Sequence, residues 1–511
     1  MIIEDKRKII QNELDSRKNI DDRRRLGQFS TPYEIANNII KFGLNIHKNK
    51  DSITFFDPAF GTGVFYSALL NNNHKVNIKK AIGLEIDPYY AKPSCDIWNN
   101  NNIEIIEGDF TQIDPCHKFN FIICNPPYVR HHLIKPIDKQ KLKFKTYRIT
   151  GYNLSGLAGL YCHFMLQSYQ WLDENGISGW LIPSEFMDVN YGKEIKKFLL
   201  EKVKLLQIHR YNPVKSQFDD SLVSSAVVWF TKSTNNPDNS NIYFSFGDDL
   251  TQPDIIKPID KLTLFKEPKW TRFPQKDNRT THSSHYTISD YFQVKRGIAT
   301  GCNDFFILTK NKIIELNLPK ELFRPILPSI RYLKNNEIFA DTEGNPILTQ
   351  QLFLLNCHLP DYIIISQYPS LWHYLETGQK IISKLYLCSQ RKYWYWQEQR
   401  EPPLYVCTYM GRGQQNSNQV FKFILNHSKA IVTNSYLSLY PKFNLKNAIL
   451  NNPQLKKDIL IILNNLNSDM ISQEGRIYGG GLKKIEPSEL LKVNISKISE
   501  LISDDKPLYE I

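Results

Sequence analysis

The sequence predicts a doubly wound α/β domain followed by a mixed α+β domain. Three observations carry that expectation. Between about residues 27 and 230, short apolar runs alternate with amphipathic stretches, the pattern of strands flanked by helices. The alternation ends at Lys232-Ser-Thr-Asn-Asn-Pro-Asp-Asn-Ser-Asn241, a polar segment that reads as a loop or linker. The chain has 511 residues, enough for two or more domains. The boundary falls between 232 and 285, and the domains are set at 1–250 and 251–511.

The elements follow in order. Residues 1–26 are highly charged and helix-prone, too few for a domain, and read as an N-terminal arm. Strands are expected at 53–57, 81–86, 103–106, 119–124, 177–183, 205–210 and 225–231. Helices are expected at 31–42, 63–71, 88–100, 157–174 and 190–200. In such a sheet, ligands bind beyond the carboxyl ends of the strands. From 285 onward short strands mix with aromatic clusters and a few helices, such as 453–466.

Composition narrows the function classes. Hydrophobic residues are 41% and charged residues 23%, which excludes wholesale disorder. No apolar run reaches the length of a membrane span. The N-terminus, Met1-Ile-Ile-Glu-Asp-Lys-Arg, has no apolar stretch and is not a signal peptide. The net charge of +12 points to a polyanionic partner, nucleic acid before membrane. Part of the excess is local: residues 381–450 hold nine Lys or Arg against two acids, interleaved with Tyr393-Trp-Tyr-Trp396, Tyr405, Tyr409, Tyr436 and Tyr440. Those aromatics read either as a packed strand or as a stacking platform. The eight cysteines form no Cys-x-x-Cys pair and no zinc spacing, so reduced thiols and no metal site are expected.

Four motifs fall at strand ends. Asp57-Pro-Ala-Phe-Gly-Thr-Gly63 lies between a strand and a helix, where Gly61 and Gly63 allow a tight turn close to a ligand. The third glycine of a dinucleotide fingerprint is absent, because Tyr66 stands there, which favours a smaller nucleoside. Glu85, at the end of the next strand, can accept both hydroxyls of a ribose. In Glu107-Gly-Asp-Phe110, Asp109 can accept from an exocyclic amine and Phe110 can stack on a purine. Taken singly, these three also read as ordinary strand-end turns. The fourth is Asn125-Pro-Pro-Tyr128. Two prolines make a rigid turn without backbone donors. An amide side chain and a free carbonyl there suit a planar amino group, and Tyr128 offers it a face.

With these motifs in this order, the chain resembles the Taq-type, gamma-class DNA adenine-N6 methyltransferases that use S-adenosylmethionine. The resemblance covers about residues 26–230. Gly27-Gln-Phe-Ser-Thr-Pro32 is similar to the family's first cofactor segment, Asp57–Gly63 to its glycine loop with Phe60 in place of the common Cys, and Asn125–Tyr128 to its catalytic motif. Leu181-Ile-Pro-Ser-Glu-Phe186 resembles a later strand and loop, and Phe218 falls where the family places a second aromatic against the target base. Val294–Phe306 and Tyr478–Leu490 resemble stretches of the family's target recognition domains.

The resemblance implies a Rossmann-like methyltransferase domain followed by a DNA target recognition domain. It implies S-adenosylmethionine as cofactor, held by Thr31, Asp57, Pro58, Ala59, Gly61, Gly63, Glu85, Ile86, Asp109, Phe110 and Asn125. The target adenine would be flipped out of the duplex. Tyr128 and Phe218 would stack on it, while the Asn125 side chain and the Pro126 carbonyl accept from its amino group. No catalytic histidine is expected, and His131 and His132 read as loop residues near DNA. Basic residues in 381–450 would contact phosphates, and Arg and Gln side chains in Met410-Gly-Arg-Gly-Gln-Gln415 could read bases. The implied setting is the cytoplasm of a bacterial or archaeal cell. There the chain would act as a monomer on double-stranded DNA, with a separate cognate restriction endonuclease. Three other readings stay open: the same motif class acting on RNA, on a protein glutamine, or as a DNA-binding subunit without turnover.

Overall fold

The structure is a computed structural model. It describes residues 3–47, 52–72, 77–213, 224–232, 241–274, 286–412, 420–466, 471–472, 474–495 and 497–503. Contacts divide the chain into Met1–Asn278 with Tyr478–Gly481, and Arg279–Ile477 with Leu482–Ile511.

The first unit opens with helices α1 (Ile3–Arg17), α2 (Ile20–Leu26) and α3 (Tyr33–Ile46). Strands β1 (Ser52–Asp57), β2 (Asn77–Glu85), β3 (Glu104–Glu107), β4 (Phe119–Cys124), β5 (Leu172–Pro183), β6 (Lys204–Tyr211) and β7 (Ser225–Thr231) follow. All seven overlap the expected runs. Helices α4 (Val64–Asn72), α5 (Pro88–Trp98), α6 (Pro136–Thr150) and α7 (Leu160–Gln167) lie between them. Two more strands, β8 (Ile242–Gly247) and β9 (Ile255–Ile259), continue the sheet past the polar break.

The nine strands run in the order β3-β2-β1-β4-β5-β7-β6-β8-β9. The chain winds outward from β1 to β3 and then restarts at β4, beside β1. Strands β3, β2, β1, β4 and β5 pair in parallel, and β7 is antiparallel to both β5 and β6. The winding reverses between β1 and β4, the switch point where such sheets bind ligands. These two strands are buried at almost every position, as parallel strands covered on both faces must be. Phe56 of β1 stacks on Phe119 at 4.9 Å and on Trp171 at 4.5 Å. At the edge, β3 exposes both of its glutamates.

Several expectations need correction. The helix expected at 157–174 is only α7, because Trp171 and Leu172 enter the buried aromatic core and start β5. The helix expected at 190–200 is broken into short turns at Lys193–Lys197 and Phe198–Lys202. Helix α6 was not foreseen: its buried positions are Leu142, Thr146 and Thr150, so two of three carry a hydroxyl and the apolar stripe is hidden. Strand β8 pairs with β6, and β9 with β8, so the first unit continues past residue 250.

The second unit is mixed α+β. Its strands are β10 (Phe292–Arg296), β11 (Ile307–Thr309), β12 (Phe323–Ile326), β13 (Glu337–Ile338), β14 (Leu352–Leu355), β15 (Tyr405–Thr408), β16 (Met410–Gly411), β17 (Phe423–Asn426), β18 (Tyr436–Pro441), β19 (Arg476–Tyr478) and β20 (Leu482–Lys484). They form three sheets, ordered β10-β18-β15-β17-β13, β11-β14-β12 and β16-β20-β19. The helix expected at 453–466 spans Leu455–Asn464. Residues 393–396 form neither strand nor platform: Tyr395 is buried and donates to Leu359 O at 2.8 Å, and its neighbours pack on the same core. Tyr405, Tyr409 and Tyr436 are core residues as well. Of the segment 410–415, residues 413–415 lie outside the described residues.

Candidate active site

A cavity of about 910 Å³ opens at the carboxyl ends of β1 to β4, within the size range of small-molecule sites. Thr31, Asp57, Pro58, Ala59, Gly61, Glu85, Ile86, Asp109, Phe110 and Asn125 line it. Gly63, Pro126 and Tyr128 are not part of the lining, and neither are His131 and His132. Phe218 lies outside the described residues. Phe110 is buried, with its ring 4.9 Å from that of Phe164.

The glycine loop is shaped by its phenylalanine. Gly63 has a φ of +86°, and a Cβ there would stand 2.4 Å from the Phe60 ring. One on Gly83 of β2 would meet the same ring at 2.4 Å. Phe60 therefore fills the space that both glycines leave. Helix α5 braces the loop from outside: Ser94 Oγ donates to Gly61 O at 2.6 Å and Trp98 Nε1 to Thr62 O at 2.9 Å.

Asn125 is held by one end. Its Nδ2 donates to Phe29 O at 3.2 Å and to Thr31 Oγ1 at 2.9 Å. A carbonyl only accepts, so the nitrogen must face Phe29. Oδ1 is buried without a hydrogen-bond partner among the described residues. An orphaned buried acceptor costs about 1–3 kcal/mol, so its retention leaves a place for a donor that is not among the described residues. Behind it, Tyr128 N donates to Gly27 O at 3.1 Å and Tyr128 OH to Leu181 O at 3.1 Å. The Tyr128 ring lies 5.7 Å from Phe29 and 6.4 Å from Tyr161. Burial pushes its phenol well above the usual range, so it stays neutral.

Three acids also line the cavity. Glu85 Oε2 accepts from Gly61 N at 2.8 Å and Oε1 from Asp87 N at 2.9 Å. Asp109 Oδ1 accepts from Thr111 N and Oγ1, both at 2.8 Å. Asp57 Oδ1 accepts from Ala59 N at 3.1 Å. Burial pushes the Asp57 carboxyl from the ordinary 3.8 up to about 8; the Ala59 bond works against this and nearby Glu85 adds to it. The folded chain thus holds a proton that the unfolded chain releases. Stability is expected to fall as pH rises between roughly 4 and 8, and to level off above. Asp57→Asn, neutral throughout, should flatten that fall. Thermal melting of both proteins at several pH values checks it; equal slopes would assign the proton elsewhere.

The arm proves to be one wall of the cavity. Arg7, Gln11, Lys18, Asp22 and Arg25 all line it. Arg7 pairs with Glu4 at 2.7 Å and donates to Thr62 Oγ1 at 2.8 Å. Gln11 Oε1 accepts from Thr62 Oγ1 at 2.6 Å, and its Nε2 donates to Ser30 Oγ at 2.9 Å. Lys18 pairs with Asp87 and donates to Gln28 Oε1 at 2.8 Å. Burial opposes it, yet the bonds from Lys18 and Gln28 hold the Asp87 carboxyl below its usual range. The sequence reading missed these residues, although a signal was present. Glu4, Arg7, Gln11 and Lys18 are spaced three, four and seven apart, one face of a helix. A polar stripe on a helix face is ordinarily solvated, and here it is turned inward.

The topology puts the cavity at the switch point, with the Asn125 amide held through its nitrogen, and two family models match the chain. The model described as Eco57I restriction-modification methylase matches residues 33–217. The model described as the C-terminal domain of Type II methyltransferase M.Eco57I matches residues 276–510. Between them the two models match most of the chain, and both describe restriction–modification methyltransferases. The chain is 29% identical to Type II methyltransferase M.AccI of Acinetobacter calcoaceticus, over 94% of this chain and 87% of that one. It is 25% identical to M.XamI of Xanthomonas campestris pv. amaranthicola, over 87% and 81% of the two chains. Among solved structures, the Type IIL restriction-modification enzyme MmeI in complex with DNA shares the fold. Its TM-score is 0.55, at 15% identity, covering 88% of this chain and 67% of that one. No helix among the described residues is long and apolar enough to cross a membrane.

Proposed function

We propose that this chain transfers a methyl group from S-adenosylmethionine to the N6 amino group of an adenine flipped out of double-stranded DNA. The observation that carries the reading is Asn125, a residue of the cavity lining: its nitrogen is tied down, and its buried oxygen has no partner among the described residues. The relatives' names support the setting, because they are Type II methyltransferases. The cognate restriction endonuclease would be a separate chain, and this one would act as a monomer in the cytoplasm of a bacterial or archaeal cell. Its second unit would read the DNA sequence.

The cavity suits the cofactor. Glu85 would take the ribose hydroxyls, with Asp109, Phe110 and Ile86 at the adenine end and the glycine loop with Thr31 at the other. S-adenosylmethionine supplies an electrophilic methyl group. Asn125 Oδ1 and the Pro126 carbonyl would accept the two hydrogens of the target amino group. Their pull grows as the nitrogen becomes tetrahedral and positive, so it acts mainly in the transition state. No strong base is needed, because the proton leaves after transfer. The Tyr128 ring, fixed through its hydroxyl to Leu181 O, and Phe218 would stack on the base.

The test is expression in a host without adenine methylation, followed by mapping of N6-methyladenine, with Asn125→Ala as control. Methylation at one short motif, absent in the control, is the expected result. Unmodified DNA beside folded chain that binds S-adenosylmethionine would overturn the reading in favour of RNA, a protein glutamine, or binding without turnover. A finer expectation concerns Thr31, whose hydroxyl accepts from Asn125 Nδ2. Thr31→Val removes one hydrogen bond and should lower kcat by about three- to tenfold, with rescue in Thr31→Ser. Steady-state kinetics of the three proteins check it, and an unchanged kcat in the valine variant would remove Thr31 from the positioning of Asn125.

A further inference from the structure

The second unit presents an arginine already set for a partner. Arg296 ends β10 and is exposed. Its Nε donates to Asn434 O at 3.2 Å, and its guanidinium carbon lies 4.2 Å from the centroid of the Tyr409 ring. Tyr409 is itself buried and anchored, its hydroxyl donating to Glu486 Oε1 at 2.6 Å. The ring contact and the Nε bond together restrain the guanidinium. The backbone beside it is equally constrained, since a Cβ on Gly297 would meet Thr433 O at 2.2 Å. Among the described residues, neither Nη nitrogen has a hydrogen-bond or ion-pair partner. Lys484 lies 5.0 Å from the same ring and pairs with Glu486 at 2.8 Å, so Arg296 carries the unpaired charge of this cluster.

An unrestrained surface arginine surrenders rotamer freedom on binding; this one has lost it beforehand. A phosphate contact needs only charge, which a flexible side chain supplies. A restrained fork with both Nη groups open suits a flat edge with two acceptors side by side. In the major groove that edge is the O6 and N7 of guanine. We propose that Arg296 reads one guanine of the recognition sequence through its two Nη groups. The proposal rests on the reading of the chain as a DNA methyltransferase.

Selection of bound duplexes from a randomised pool, using the full chain, tests it without need for turnover. The wild type is expected to enrich a motif with a guanine that Arg296→Ala and Arg296→Lys no longer require. The loss of discrimination should be roughly ten- to a hundredfold at that position alone. Replacing that guanine by 7-deazaguanine should weaken the wild type and leave the alanine variant indifferent. Equal weakening at every position, with a shallower salt dependence, would make Arg296 a phosphate contact and overturn the proposal. A motif without guanine would overturn it too, as would full discrimination by Arg296→Lys. A wild type that selects a motif but leaves its adenines unmodified would overturn the methylation reading and spare this one. A chain that selects no motif overturns both.

Discussion

Asn125→Ala is expected to lower kcat by about a hundred- to a thousandfold, the usual cost of removing one group aimed at a developing charge. The cause is local. The Asn125 nitrogen is occupied by Phe29 O and Thr31 Oγ1, so its only free function is the oxygen. Loss of the side chain removes the two bonds from Nδ2 but also the orphaned oxygen; the two terms oppose each other, so stability should change by less than about 1 kcal/mol. Asn125→Asp separates the two effects. It keeps the shape and an acceptor towards the cavity, but sets a second oxygen against Phe29 O. It should fail to transfer wherever the carboxyl is ionised and recover partly where it is protonated. Single-turnover rates against pH, with S-adenosylmethionine affinity measured beside them, check both variants. An alanine variant within tenfold of the wild type would remove Asn125 from the chemistry.

Gly27→Ala is expected to damage both stability and turnover, although Gly27 touches no reacting group. Its φ is +68°, and a Cβ there would lie 2.4 Å from Tyr128 N and 2.8 Å from Val129 N. Both neighbours are backbone of the rigid turn and cannot swing aside. The left-handed conformation alone costs roughly 1–2 kcal/mol for a residue with a side chain, and the clash should bring the total to about 2–4 kcal/mol. Relief requires the segment to move, which draws Phe29 O and Thr31 away from Asn125. Misorientation of that kind should cost tenfold or more in kcat. Gly61→Ala is the control for stability: its φ is +56°, yet nothing lies within 4 Å of the added carbon. Denaturant unfolding of both variants separates clash from backbone strain. Equal losses would mean that the close approach to Tyr128 does not matter.

How far these features were legible in the sequence differs from one to the next. The strands of the first unit were readable because each is a short apolar run between polar turns, and Asp57, Glu85, Asp109 and Asn125 stand at their ends. The role of Thr31 was read as cofactor contact; its bond to Asn125 joins residues 94 apart, which no local pattern announces. Helix α6 was hidden by its lysines and buried threonines. Strands β8 and β9 were missed because the polar segment before them reads as a domain boundary. In the basic window, Tyr395, Tyr405 and Tyr436 looked available for stacking on bases, but burial has already used them. Composition counts aromatic rings and does not say which side of a sheet they face. The Arg296 pair with Tyr409 spans more than a hundred positions, and only folding brings it together.

The arm also decides where this protein can be cut and rejoined. The family model that matches residues 33–217 begins beyond α1, α2 and Gly27. A chimera joined at that limit would discard Arg7, Gln11 and Lys18, one wall of the cavity, together with the carbonyl and hydroxyl that hold Asn125. Designers who exchange second units between relatives therefore need to carry the helices from Ile3 onward with the first unit. The same wall gives inhibitor chemists a target, because a compound extended through the cavity towards Arg7 and Gln11 would meet the arm as well as the strand ends.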